Sequence, residues 1–185
     1  MNLVTSRLIL LPAAPEQIRA IIAGDYAQAS KLIGADVPIG WPHESEAIEG
    51  LPWHLSALER DPHQRLWRIR FIVETAKNAL IGSVNLKGPP TQEDVEVGWG
   101  IVVNARRRGY ATEASRAVID WVFETETVCR VTATVPESNE ASQRVARNLG
   151  MAKTGEIRRG LPVWAVYCSS RNLSSSRSTP SHPLS

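Results

Sequence analysis

The segment from Asp94 to Glu124 constrains this chain more than any other. Residues 94–103, DVEVGWGIVV, are rich in β-branched and aromatic residues and read as a strand. Asn104 ends it, and the basic turn Arg106-Arg107-Arg108-Gly109-Tyr110-Ala111 follows at once. From about Ala111 to Glu124, the residues Ala114, Val118, Trp121 and Val122 fall along one helical stripe. Residues 129–135, CRVTATV, then alternate as a strand closed by Pro136, and 139–149 read as a helix stopped by Gly150. Its apolar stripe is Ala141, Val145 and Leu149. Strand, helix, strand, helix and strand in succession predict a mixed-sheet α/β domain.

The remaining segments fit the same class. Residues 3–11, LVTSRLILL, read as one strand broken by Pro12, and 15–34 carry helical spacing with Gly24 as a break. Residues 35–53 are rich in Pro, Gly and Trp, and 54–60 read as helix. Strands are expected at 66–74, 79–87, 151–157 and 161–168. A chain of 185 residues is long enough for one well-buried core. We place that domain at 1–168. Residues 169–185 hold eight Ser and no aromatic residue, the composition of a disordered tail.

The turn after residue 103 also has a chemical meaning. A turn that opens a helix aims several backbone N–H groups and the positive end of the helix dipole at one point, which suits a diphosphate. Gly109 has no Cβ and lets the main chain approach closely, while Ala111 and Ala114 keep the first helical turn clear.

Arg106-x-x-Gly109-x-Ala111 resembles the Arg/Gln-x-x-Gly-x-Gly/Ala signature of the GNAT superfamily of acyl-CoA-dependent N-acyltransferases. The resemblance implies a mixed, mostly antiparallel central sheet with splayed central strands, flanked by helices. It implies that Arg106, Arg107, Arg108, Gly109, Tyr110, Ala111 and Thr112 hold the diphosphate of acetyl-CoA, the acyl donor. The N–H of Ile101 or Val102 would polarise the thioester carbonyl, with the pantetheine lying along Val103. Residues 139–151, NEASQRVARNLGM, resemble the family's second coenzyme-side motif, with Met151 where Phe is usual. There Asn139 would reach the pantetheine. Ser142 matches the position proposed to protonate the departing thiolate in ribosomal-protein alanine N-acetyltransferases, the branch this chain most resembles. The Tyr often found seven residues after the Asn is replaced here by Ala146.

Acyl transfer to an amine needs a free lone pair on nitrogen, so a carboxylate that takes the proton, directly or through water, is expected. Glu96 resembles the glutamate that many GNAT enzymes use. In an extended strand it faces away from Val95, Val97 and Trp99. The expected acceptor is a primary amine. Between Lys31 and Arg60 there is no Lys or Arg, whereas Asp36, Glu44, Glu46, Glu49 and Glu59 occur beside Trp41, His43, Trp53 and His54. An acidic, aromatic-lined mouth would favour a cationic amine, such as a protein N-terminus or a polyamine-like molecule.

Composition excludes other classes. A net charge of +2 argues against a nucleic-acid partner, even with Arg106 to Arg108 clustered. No run of 18 apolar residues is present, so no membrane span is expected. Cys129 and Cys168 are far apart with no His nearby, so neither a disulfide nor a metal site is expected, and the cytoplasm is the default compartment. A monomer or homodimer is expected. The alternative to an enzyme is a non-catalytic sensor that binds acetyl-CoA or coenzyme A without turnover.

Overall fold

A computed structural model describes residues 1–42, 45–125 and 127–168, with the backbone alone for 45–49. The strands are β1 (Leu3–Val4), β2 (Leu8–Pro12), β3 (Ile69–Glu74), β4 (Ala79–Leu86), β5 (Asp94–Ile101), β6 (Arg130–Thr134), β7 (Ala152–Arg158) and β8 (Leu161–Tyr167). The helices are α1 (Pro15–Ile22), α2 (Tyr26–Ile33), α3 (Ser45–Arg60), α4 (Tyr110–Glu124) and α5 (Glu140–Asn148). All eight strands join one sheet in the order β1-β2-β3-β4-β5-β6-β8-β7. Every pairing is antiparallel except β5 with β6. This is the α/β architecture the sequence predicts.

The parallel pairing is short. Asp94, Val95 and Glu96 pair with Arg130, Val131 and Thr132, and there it stops. Val97 to Ile101 continue beside β4, whereas Thr134 continues beside β8. The two central strands therefore part just beyond Glu96, as splayed strands should.

Each face of the sheet has its own core. Val84, Leu86, Val95 and Val97 pack with Tyr110, Ala114, Val118 and Val122 of α4 and with Ala146 and Leu149. On the opposite face Ile69, Phe71 and Leu80 pack with Ile18 and Ile21 of α1 and Leu51 and Leu58 of α3. Burial of apolar surface on both sides is what commits the alternating strands to this register.

Several local expectations are corrected. Residues 3–11 form two strands, because the chain turns back at Thr5, whose N–H donates to Leu8 O at 2.9 Å. Helix α3 begins at Ser45 and runs through Pro52, so it is longer than 54–60. The segment before β3 is a 3₁₀ turn, Pro62–Trp67, started by Asp61, whose carboxylate accepts from His63 N. The strand expected at 94–103 ends at Ile101, since Val103–Ala105 turn into a short 3₁₀ segment. On α5, Val145 and Leu149 pack against the core as expected, Gln143 and Ala146 are buried beside them, and Ala141 is exposed. The tail 169–185 lies outside the described residues.

Candidate active site

Gly109 is the N-cap of α4 in the left-handed conformation, at φ 81°. Glu113 N donates to Gly109 O at 3.0 Å. Tyr110, Ala111 and Thr112 come before that first bond, so their N–H groups are the open amides of the helix start. Arg107 is also left-handed, at φ 62°. Arg106 Nε donates to Ile101 O at 2.9 Å, which ties the loop to the end of β5.

A residue the sequence reading missed holds this loop from behind. Arg7 donates from Nη1 to Arg108 O at 3.0 Å and from Nε to Glu113 Oε2 at 2.7 Å. Its guanidinium lies 4.5 Å from the centre of the Tyr110 ring. Burial opposes ionisation of Glu113, but bonds from Thr5 and Arg7 outweigh it and hold the carboxyl below its usual range. Glu113 is therefore turned away from an anion at the helix start. Nothing local in the sequence signals this, because Arg7 and Glu113 are 106 residues apart.

Tyr110 faces inward. Its hydroxyl donates to Glu74 Oε1, and the ring belongs to the core beneath α4. The hydrogen bond from Tyr110 holds the Glu74 carboxyl low against its burial. Of the seven residues expected at the diphosphate, Tyr110 can therefore contribute only its backbone N–H.

The strand edge beside the gap is equally specific. Lys87 N donates to Glu96 O at 2.9 Å, and Val102 N donates to Ile81 O at 2.8 Å. In an antiparallel ladder the bonding direction alternates, so Val97, Trp99 and Ile101 turn their amides the other way, towards the space β6 has left. The expectation of Ile101 or Val102 as oxyanion donor is thus narrowed: the Val102 amide is committed within the sheet. Val103 is exposed at the rim.

Glu96 stands where the strands part and is 7% exposed. Its carboxylate accepts from Thr134 Oγ1 at 3.0 Å, from Arg158 Nη1 at 3.2 Å and from Arg159 Nη2. Arg158 also reaches Asp94 at 3.3 Å and Thr132 Oγ1 at 3.2 Å. Burial works against the Arg158 charge, but its bonds to Glu96 and Asp94 prevail and raise its pKa. Glu96 does leave the apolar face as expected, but it enters an ion-paired cluster built from β5, β6 and the β7–β8 hairpin. The sequence could not show the two arginines, which stand 62 and 63 residues further on.

Asn139 Oδ1 accepts from Ser142 N at 3.0 Å and caps α5. The cap uses the oxygen of the amide and leaves the exposed NH2 group as the part that can reach a ligand. Ser142 is half-buried on the first turn of α5. Ala146 is wholly buried against the sheet.

The acidic, aromatic mouth is only partly recovered. Trp41 is a core residue, 4% exposed and edge-on to Phe71 at 5.7 Å. Glu59 pairs with Arg19 at 2.6 Å. His43, Glu44 and the side chains of Glu46 and Glu49 lie outside the described residues. Trp53 remains exposed, with the Arg68 guanidinium 4.6 Å from its ring centre. His54 is buried, and its pKa falls to about 3 through burial first and then the charges of Lys87 and Arg68.

A sequence profile of the acetyltransferase (GNAT) domain matches residues 7–152. The chain belongs to the GNAT acetyltransferases. This GNAT chain is 29% identical over 151 residues to YjdG, an uncharacterised N-acetyltransferase of Bacillus subtilis strain 168, covering 81% of this chain and 84% of that one. Its fold is shared with the ribosomal-protein-S5-alanine acetyltransferase of Vibrio fischeri at a TM-score of 0.66 and 18% identity, covering 92% and 98% of the two chains. It is shared also with the microcin C7 self-immunity acetyltransferase MccE, solved with acetyl-CoA and AMP, at a TM-score of 0.61 and 16% identity over 89% and 94%. No described helix of this GNAT domain is long and apolar enough to cross a membrane.

Proposed function

We propose that this chain transfers an acetyl group from acetyl-CoA to a primary amine by direct attack within a ternary complex. The observation that carries the reading is the position of the open α4 amides at the end of the strand that parts from β6. The N–H groups of Tyr110, Ala111 and Thr112, with the loop of Arg106, Arg107, Arg108 and Gly109, fit a diphosphate. The pantetheine then runs past Val103 into the gap, with Asn139 on its α5 side. The Ile101 amide faces the thioester oxygen and stabilises the charge that develops there.

The reaction forms an N–C bond at the acetyl carbon and breaks the C–S bond of the thioester. The amine gives up one proton, and the departing thiolate takes one to become the free thiol. We assign the first transfer to Glu96 and the second to Ser142. A carboxylate has about four lone-pair sites, and three donors already occupy those of Glu96. One site is left to take the proton, directly or through water. The acceptors that fit this reading are protein N-termini and small primary amines.

Glu96→Gln tests the assignment. Loss of a general base lowers turnover by about a hundredfold or more. Turnover should fall to that extent while the dissociation constant for acetyl-CoA stays unchanged. Unchanged turnover would remove Glu96 from the mechanism.

A further inference from the structure

Cys129 and Cys168, the two cysteines of the chain, are far apart in sequence but stand opposite each other in the sheet. Strands β6 and β8 pair antiparallel, with Ala133 opposite Trp164 and Val131 opposite Val166. The next rung in that row is Cys129 with Cys168, one residue outside each strand. Its backbone is closed, because Cys168 N donates to Cys129 O at 3.0 Å. The rung between, Arg130 with Tyr167, turns to the other face, where the guanidinium lies 6.0 Å from the ring centre. Alternation therefore gives the two cysteines the same face as Val131, Ala133, Trp164 and Val166, the face that packs on α4.

A rung closed by a bond in this direction is a hydrogen-bonded pair, whose Cα atoms stand about 5.5 Å apart. Disulfides span Cα separations of roughly 4.4–6.8 Å, so the backbone is already at bonding distance. Directly opposite Cβ atoms lie about 4.5–5.5 Å apart, at or just beyond the roughly 3.5–4.5 Å of a disulfide. The pair sits at the end of both strands, where that small approach meets least resistance. Both residues are half-buried rather than sealed, as reaction with a small oxidant requires.

We propose that Cys129 and Cys168 form a reversible disulfide that ties β6 to β8. The oxidant is a small disulfide such as oxidised glutathione. The thiolate of one cysteine attacks it, forms a mixed disulfide and expels one glutathione thiolate. The thiolate of the other cysteine then attacks the protein sulfur of that mixed disulfide and expels the second. Two protein thiols are oxidised to one S–S bond, and the glutathione disulfide is reduced to two thiols. The two protons pass from the cysteines to the departing thiolates. The bond closes the chain from 129 to 168, which carries α5 with its cap Asn139 and the hairpin with Arg158 and Arg159. Constraining that segment in the unfolded chain stabilises the folded one. At this end β5 and β6 are still paired, Asp94 beside Arg130, so the tie stands away from the gap beyond Glu96. It holds together part of the proposed site without entering it.

The test treats the folded full chain with oxidised glutathione and reads mass, thiol content and Tm. Wild type should lose both thiols and the mass of two hydrogens, and run as a single chain on a non-reducing gel. Its digest should join the Cys129 peptide to the Cys168 peptide. Its Tm should rise by about 5 °C or more and fall back when dithiothreitol is added. Cys129→Ser and Cys168→Ser should each take up one glutathione with no rise in Tm, and the wild-type readouts stand even if a Ser variant folds poorly. A wild type that carries glutathione on each cysteine overturns the proposal, as does one whose disulfide links two chains or one that keeps both thiols while folded. A joined chain that melts no higher than the reduced one overturns it too, because the bond then does not fit the folded register.

Discussion

Gly109→Val should weaken acetyl-CoA binding sharply while the chain still folds. Among the described residues a Cβ at this position meets only Arg7 Nη2, at 3.6 Å, an ordinary contact. The cost is conformational, because φ here is 81° and a β-branched residue is strongly disfavoured in that region. A left-handed residue costs about 1–2 kcal/mol, so relaxing the loop is cheaper than holding it. Once it relaxes, the amides of Tyr110, Ala111 and Thr112 no longer converge. Losing one or two charge-assisted bonds to a diphosphate costs on the order of 3 kcal/mol. That corresponds to roughly a hundredfold in affinity. Calorimetry on the folded variant reads this directly, and retained affinity would place the diphosphate elsewhere.

Gly82→Ala should be strongly destabilising. A Cβ at Gly82 would lie 2.1 Å from Gly100 O and 3.0 Å from Ile101 Cα. The nearest obstacles are backbone atoms, so no side chain can swing aside and β4 must move away from β5. Overpacking of this kind costs on the order of 3 kcal/mol. For a chain of this length that is a fall in Tm of roughly 6–12 °C. The displaced segment is the one whose Ile101 amide faces the gap, so turnover should fall at temperatures where the variant is still folded. Thermal unfolding and a rate at 25 °C check both parts, and an unchanged Tm would mean that the two strands are not so closely paired.

The parts of this site that were legible in the sequence are those whose causes are local. A strand run, a glycine turn and a striped helix stand next to one another from Asp94 to Glu124, and each dictates its own conformation. The glycine turn that opens α4 could be placed on that ground. What escaped depends on distant partners. LVTSRLILL reads as one strand, yet the chain turns where Arg7 reaches across to Glu113 and Arg108. Glu96 reads as a free carboxylate on a strand face, but the β7–β8 hairpin returns Arg158 and Arg159 to it. Trp41 reads as a cleft aromatic and is drawn into the core by Phe71. The stripe of α5 is partly right: Val145 and Leu149 pack against the core as expected, but Ala141 is exposed and Gln143 and Ala146 are buried beside them. Helical periodicity fixes an angle along a helix and does not choose between neighbouring stripes on a short one.

We propose the open start of α4, beside the parted strands β5 and β6, as the coenzyme site. Isothermal titration of the full chain with acetyl-CoA tests it most directly. Saturable binding at one molecule per chain is expected, sharply weakened in Gly109→Val and kept in Glu96→Gln. A well-folded wild-type protein that gives no binding heat, and whose melting temperature acetyl-CoA does not raise, would contradict it.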